Sequence, residues 1–127
     1  MPAGWADAEY RQAAMEAHLS NWFAFQVRVN REERGWTQAE LARRMGTKQA
    51  AISKLEDPDE LDARVSTLVK AAHAFDCALL IRLIPYEGLA RLTADLRPDR
   101  MYATSYGSGD DERSPAVSRI TEENRAG

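Results

Sequence analysis

The sequence predicts an all-α fold, with a five-helix unit preceded by an extra N-terminal helix and followed by one short C-terminal β-strand. Three observations predict it. Residues 36–56, WTQAELARRMGTKQAAISKLE, hold two short runs with apolar residues at helical spacing, separated by a glycine. Residues 63–75 repeat apolar side chains at i, i+3 and i+4. Only 78–84, ALLIRLI, is short, rich in branched apolar residues and stopped by a proline, as a strand would be.

A chain of 127 residues with 44% hydrophobic content accommodates one small domain with some extension. Cys77 is the one cysteine, so no internal disulfide can form, and a reducing compartment is expected. The N-terminus MPAGWADAEY lacks a basic segment followed by an apolar run, and no stretch approaches the roughly 20 apolar residues of a spanning helix. A cytoplasmic, nucleoid-associated protein with no membrane partner is therefore expected. The net charge of −3 looks wrong for a nucleic-acid partner, but its distribution matters more than its sum. Between Gln26 and Glu56, Arg28, Arg31, Arg34, Arg43, Arg44, Lys48 and Lys54 outnumber Glu32, Glu33, Glu40 and Glu56. The acidic surplus lies at 57–62 and 110–112. A solvated charged surface explains this bias about as readily as a binding face does.

A first helix is expected from Asp7 to Leu19, with Tyr10, Ala14, Met15 and Ala17 on its apolar side and Ser20–Asn21 as its break. It is an accessory packing helix or a dimer element. Trp5, Trp22, Phe23 and Phe25 read as core or interface aromatics. The next helix, Phe25 to Arg34, turns Phe25, Val27 and Val29 to the core and ends at Gly35. Thr37 and Glu40 then form a capping box, with Trp36 and Leu41 as its hydrophobic staple. The helix from Gln38 buries Leu41, Ala42 and Met45, and Gly46 ends it. After a turn of about three residues, Thr47 caps a second helix whose inward face is Ala51, Ile52 and Leu55. Lys48, Gln49, Ala50, Ser53 and Lys54 are left pointing outward.

Beyond the Asp57–Pro58 loop, a helix from Ala63 to Phe75 closes the core with Val65, Leu68, Val69, Ala72 and Phe75, and Asp62 is its candidate cap. The strand 78–84 needs a partner for its backbone. That partner is the same strand of a second chain, in an isologous dimer, or else the segment packs on the helices or extends one of them. Leu89, Leu92 and Leu96 suggest a short helix adding to that interface. From about Arg97 the chain reads as a mostly disordered tail, with Val117 and Ile120 as a candidate docking motif. The organisation is thus 1–22 accessory helix, 23–76 central domain, 77–97 dimerisation element and 98–127 tail. His18 has no ligand partner at metal spacing, and His73 with Cys77 falls short of a metal site or an activated thiol. No Ser-His-Asp, multi-carboxylate or metal-ligand cluster is present, so neither an enzyme nor a cofactor is expected.

The stretch TQAELARRMGTKQAAISKLE resembles the helix-turn-helix of the lambda-repressor-like (Cro and XRE) family, with Gln38, Ala42, Gly46, Ile52, Leu55 and Glu56 in that family's pattern. Lys48 departs from it, standing where many members carry a capping Ser or Thr. The flanks EYRQAAMEAHL and AFDCALLIRLIP are similar to those of a subgroup of bacterial and prophage regulators. The resemblance implies a sequence-specific repressor that binds double-stranded DNA at an inverted repeat as a homodimer. It implies base contacts from Lys48, Gln49, Ala50, Ser53 and Lys54, and a structural ion pair between Arg31 and Glu56. Phosphate contacts fit Gln38, Arg43 and Lys54, with Arg44 a further candidate. The alternative is an antitoxin that masks a toxin through Trp5, Trp22, the strand or the tail.

Overall fold

The computed structural model describes residues 4–62 and 64–108, and six helices lie among them with no strand. They are α1 (Ala8–Glu33), α2 (Gln38–Met45), α3 (Gln49–Leu55), α4 (Val65–Phe75), α5 (Tyr86–Thr93) and α6 (Pro98–Met101). The α2 helix packs on α3 and α4, while α1 runs past α4, α5 and α6.

The extra N-terminal helix is not separate. It continues through Ser20 and Asn21 into the bracing helix, giving one rod of 26 residues. Ser and Asn cost only about half a kcal/mol each in a helix, and no Gly or Pro interrupts Ala8–Glu33, so nothing stops propagation. The rod begins at Asp7, whose Oδ1 accepts from the N–H groups of Glu9 and Tyr10. It ends at Gly35, φ +71°, where Trp36 N–H donates to the Arg31 carbonyl across the left-handed residue. Its buried side chains are Ala24, Val27, Val29 and Asn30, whereas Phe25, Tyr10 and Ala17 are exposed, contrary to the expected face. The reason is that α1 packs on two sides. Val27 meets the α2–α4 core, and Asn30 meets the C-terminal segment.

One core organises the unit. Val27, Leu41, Ala42, Met45, Ile52, Leu55, Ala71 and Phe75 form a single buried cluster, with Trp36, Leu61, Ala74 and Cys77 packed against it. Leu41 and Ile52 are fully enclosed, so α2 and α3 are held as a pair by apolar contact. Ala42 is buried where the two helices meet, a place a larger side chain would push apart. In α4 the buried stripe is Leu68, Ala71 and Phe75, while Val65 and Val69 remain exposed. The helix starts after Arg64, which caps it without a side-chain bond; position 63, the expected start, is outside the described residues. Its C-terminus is closed by Asp76, φ +57°, with Cys77 N–H bonded to the Ala72 carbonyl.

The expected strand is absent among the described residues. Residues 77–85 run irregularly, and no described residue forms a β-ladder with them, which a strand requires. The expected short helix is present as α5, and it folds back onto α1. Trp5 is buried edge-on against Tyr86, 5.8 Å between centroids, and His18 Nδ1 shares a hydrogen bond with Thr93 Oγ1 at 3.1 Å. Trp5 is thereby closed as a docking residue, while Trp22 is half-buried.

The tail is ordered further than its composition suggests. Pro98 opens α6, Met101 is buried, and Asn30 clamps the residues around it. Asn30 Nδ2 donates to the carbonyls of Gln26 and Met101, and its Oδ1 accepts from Ala103 N–H at 2.8 Å and Arg34 Nη1 at 3.1 Å. Arg34 adds bonds to the Phe75 and Ala103 carbonyls and lies over the rings of Phe75 and Tyr102. The Met101 and Ala103 partners lie about 70 residues away in sequence, out of reach of any local pattern. Val117, Ile120 and the acidic run 110–112 are outside the described residues.

Candidate nucleic-acid interface

The turn between α2 and α3 is three residues long, Gly46 to Lys48. Gly46 takes φ +69°, and Thr47 N–H reaches back 2.8 Å to the Ala42 carbonyl, so the chain reverses with its backbone satisfied. Thr47 does not cap α3. The cap position is Lys48, extended at φ −98° and ψ 154° with no side-chain bond, which starts the helix at Gln49, one residue later than a Thr47 cap would. Ala51 then turns outward, and Ile52 and Leu55 alone bury the inner face.

Lys48, Gln49, Ala50, Ser53 and Lys54 are all exposed on α3. Gly46, Thr47, Lys48, Ala50, Ala51 and Lys54 line a shallow open notch of about 490 Å³ beside this face. Neither Lys48 nor Lys54 has an ion-pair partner among the described residues. The other bases of the region are occupied. Arg28 pairs with Glu32 at 2.9 Å, and its hydrogen bond holds that carboxyl below the usual range. Arg34 belongs to the C-terminal clamp, and burial pushes its pKa down. Arg44 lies 3.9 Å from the centre of the Trp36 ring.

Glu40 governs the remaining cations. The Thr37 hydroxyl accepts from Glu40 N–H at 3.1 Å, the hydroxyl half of a capping box. The Glu40 carboxylate instead receives Arg43 at 2.6 and 3.1 Å and Arg44 at 2.8 Å. Those hydrogen bonds, Arg43's first, lower the Glu40 pKa. The i, i+3 and i, i+4 spacing is visible in the sequence, yet the capping pattern at the same residue overshadows it. The basic footprint is thus narrower than a count of Lys and Arg implies.

The two helices are locked to α1 by Arg31 and Glu56. Arg31 Nε donates to Glu56 Oε2 at 2.6 Å and Nη2 to Oε1 at 2.9 Å, a fork on a carboxylate. Nη1 reaches the Trp36 carbonyl at 2.8 Å. The side chains are 12% and 5% exposed, so the pair faces inward and away from any ligand. The hydrogen bond to Glu56 raises the Arg31 pKa. Gln38 Nε2 joins Glu56 Oε1 at 3.3 Å, which commits one of its two amide hydrogens. The other stays available at the start of α2, beside the orphan N–H groups of its first turn.

No group of three or more His, Cys, Asp and Glu side chains among the described residues could hold a metal ion. No helix of the described residues is long and apolar enough to cross a membrane. A comparison with curated proteins and with solved structures returns no match. Residues 27–81 match the family model HTH_3, described as helix-turn-helix. That span runs from the second half of α1 through α4, and it holds the three-residue turn, the left-handed glycine and the inward Arg31–Glu56 fork. Over residues 27–81 the chain is similar to the helix-turn-helix domains of that family, the Cro/C1 (XRE) type, a likeness that points to a DNA-binding regulator.

Proposed function

We propose that the chain is a sequence-specific repressor which binds an inverted-repeat operator as a homodimer, with α3 in the major groove. The observation that carries this reading is the division of labour on α3. Ile52 and Leu55 are buried, while every other residue of the helix is exposed, so a whole face is held out on a rigid support. A helix of this diameter enters the major groove, where each base pair displays its own donors and acceptors. Gln49 has the bidentate amide for adenine N6 and N7, Lys48 donates to guanine, and Ala50 meets a thymine methyl. Ser53 lies one turn further along the same face. Gln38, Lys54 and Arg43, which stays 69% exposed beside Glu40, anchor phosphates and set the register. Two such units on a two-fold axis read half-sites about 34 Å apart. Occupancy of a promoter is then enough to repress it, and the protein acts by binding, without catalysis or a cofactor.

Selection of bound fragments from genomic DNA tests the reading, with an inverted repeat as the expected product. On that operator Gln49→Ala should cost about 1 to 3 kcal/mol and blunt discrimination at one or two positions. Unchanged selectivity would remove α3 from the groove. Recovery of a small toxin with the purified protein, and no selected repeat, would favour the antitoxin reading instead.

A further inference from the structure

We infer that the outer side of α4 and residues 78–84 form the face on which a second copy of this chain docks, Leu83 of each copy seating in a groove of the other. The inference rests on the two-fold reading above and gives it a surface.

Five large apolar side chains of these two segments are exposed, among the polar Ser66, Lys70, His73 and Arg82. Val65 is 59% exposed, Val69 38%, Leu80 68%, Ile81 55% and Leu83 99%. At ordinary side-chain sizes this is roughly 500 Å² of apolar surface, near the upper end of what a monomer leaves uncovered. Two copies face to face would bury on the order of 1,000 Å², which reaches the size of a specific interface. Beside it lies a groove of about 270 Å³ lined by Val69, Ala72, His73, Cys77, Ala78 and Leu79. Burial raises the Cys77 pKa and keeps the thiol neutral, consistent with an apolar seat.

Self-complementarity identifies the occupant. An isologous interface must offer both halves of each contact on one chain, and here a projecting Leu83 stands a few residues from a groove of matching apolar character. The backbone adds a second match. No backbone–backbone hydrogen bond joins 78–81 or 83–84 to another described residue, so these donors and acceptors are open to pairing with the same segment related by a two-fold axis. The remainder of the chain is poorly suited to cover the face. Residues 109–127, GDDERSPAVSRITEENRAG, bring only Val117 and Ile120 as large apolar side chains against five.

The test uses the full chain in sedimentation velocity at micromolar concentration, with Leu83→Glu and Leu83→Cys variants. The expected results are a dimer for the unmodified chain, with a midpoint that rises with protein concentration, and for Leu83→Glu a monomer of unchanged helicity whose midpoint is independent of concentration, since Leu83 is 99% exposed within one chain. Under diamide, Leu83→Cys should form a covalent dimer with the partner's Cys77, because a disulfide demands Cα atoms within about 7 Å. Adding Cys77→Ser should abolish it. A dimer that survives Leu83→Glu would overturn this interface and leave the two-fold reading standing, and so would a cross-link that persists without Cys77. An unmodified chain that stays monomeric both free and on its selected DNA would overturn the two-fold reading as well.

Discussion

Removing Arg31 should destabilise the domain severely. The guanidinium makes two bonds to Glu56, 2.6 and 2.9 Å, and one to the Trp36 carbonyl. In Arg31→Ala, Glu56, 5% exposed in the intact chain, is left with Gln38 at 3.3 Å as its hydrogen-bond partner. Stranding one member of such a buried pair costs about 3 to 5 kcal/mol. At about 4 to 8 °C per kcal/mol for a domain of this size, the midpoint should fall by at least about 12 °C. Circular dichroism at 222 nm against temperature, repeated in urea, measures it. DNA binding at low temperature, where the variant remains folded, should be nearly intact, since the pair faces inward. Replacing both partners, as in Arg31→Met with Glu56→Leu, should recover most of the loss, because no charge is left buried. Recovery stays incomplete, since the Trp36 carbonyl loses its donor at a cost of about 1 to 3 kcal/mol. A midpoint within about 3 °C of the unmodified chain in Arg31→Ala, or a double replacement no better than the single one, would refute the argument.

Lys54→Ala should weaken specific and random DNA alike and reduce the slope of log K against log salt by about 1, as one lost phosphate contact requires; a purely sequence-dependent effect in a salt titration would contradict that role. Glu40→Gln releases Arg43 and Arg44 while keeping a polar side chain at the third helical position. Affinity should rise for any DNA sequence and the salt slope should steepen, with little change in melting, and weaker binding would show that the carboxylate positions Arg43 instead. The unmodified protein should show the same gain at acid pH. The Glu40 pKa is held down by its arginines, so their mutual stabilisation is present above the ordinary carboxylate pKa and is lost as pH falls through the lowered value. Asn30→Ala strips partners from the Met101 carbonyl and Ala103 N–H, at about 1 to 3 kcal/mol for each group left unpaired. Hydrogen exchange at Ala103 and tryptic cleavage after Arg100 should accelerate before global melting shifts; protection equal to that of the unmodified chain would show that α6 is held by other contacts.

How far the sequence reached depended on the range of the interactions involved. Thr37, Gly46, Ile52 and Leu55 were readable because caps, left-handed glycines and helical periodicity act within about a turn of the chain. The same range explains two misplacements. Thr47 has the chemistry of a cap, yet its N–H closes the turn onto Ala42, which moves the cap to Lys48. Ser20 and Asn21 have the chemistry of a break, yet a rod packed along both halves overrides so weak a preference.

The sequence by itself determined the two short helices, their glycine-ended turn and, Ala51 excepted, which residues of α3 face outward, since each follows from local backbone chemistry. Tertiary structure alone decided that Arg34 is not available for DNA. Arg28, Arg34, Arg43 and Arg44 all count toward the net positive segment, but Arg28 pairs with Glu32 and Arg43 and Arg44 share Glu40 at helical spacing, whereas Arg34 is drawn into the C-terminal clamp by residues far along the chain. It also decided that Trp5 and α5 close on α1 while Leu80, Ile81 and Leu83 stay uncovered. The physical reason is that an apolar pattern requires burial without naming the surface that provides it, and a charge binds whichever partner the fold brings within reach.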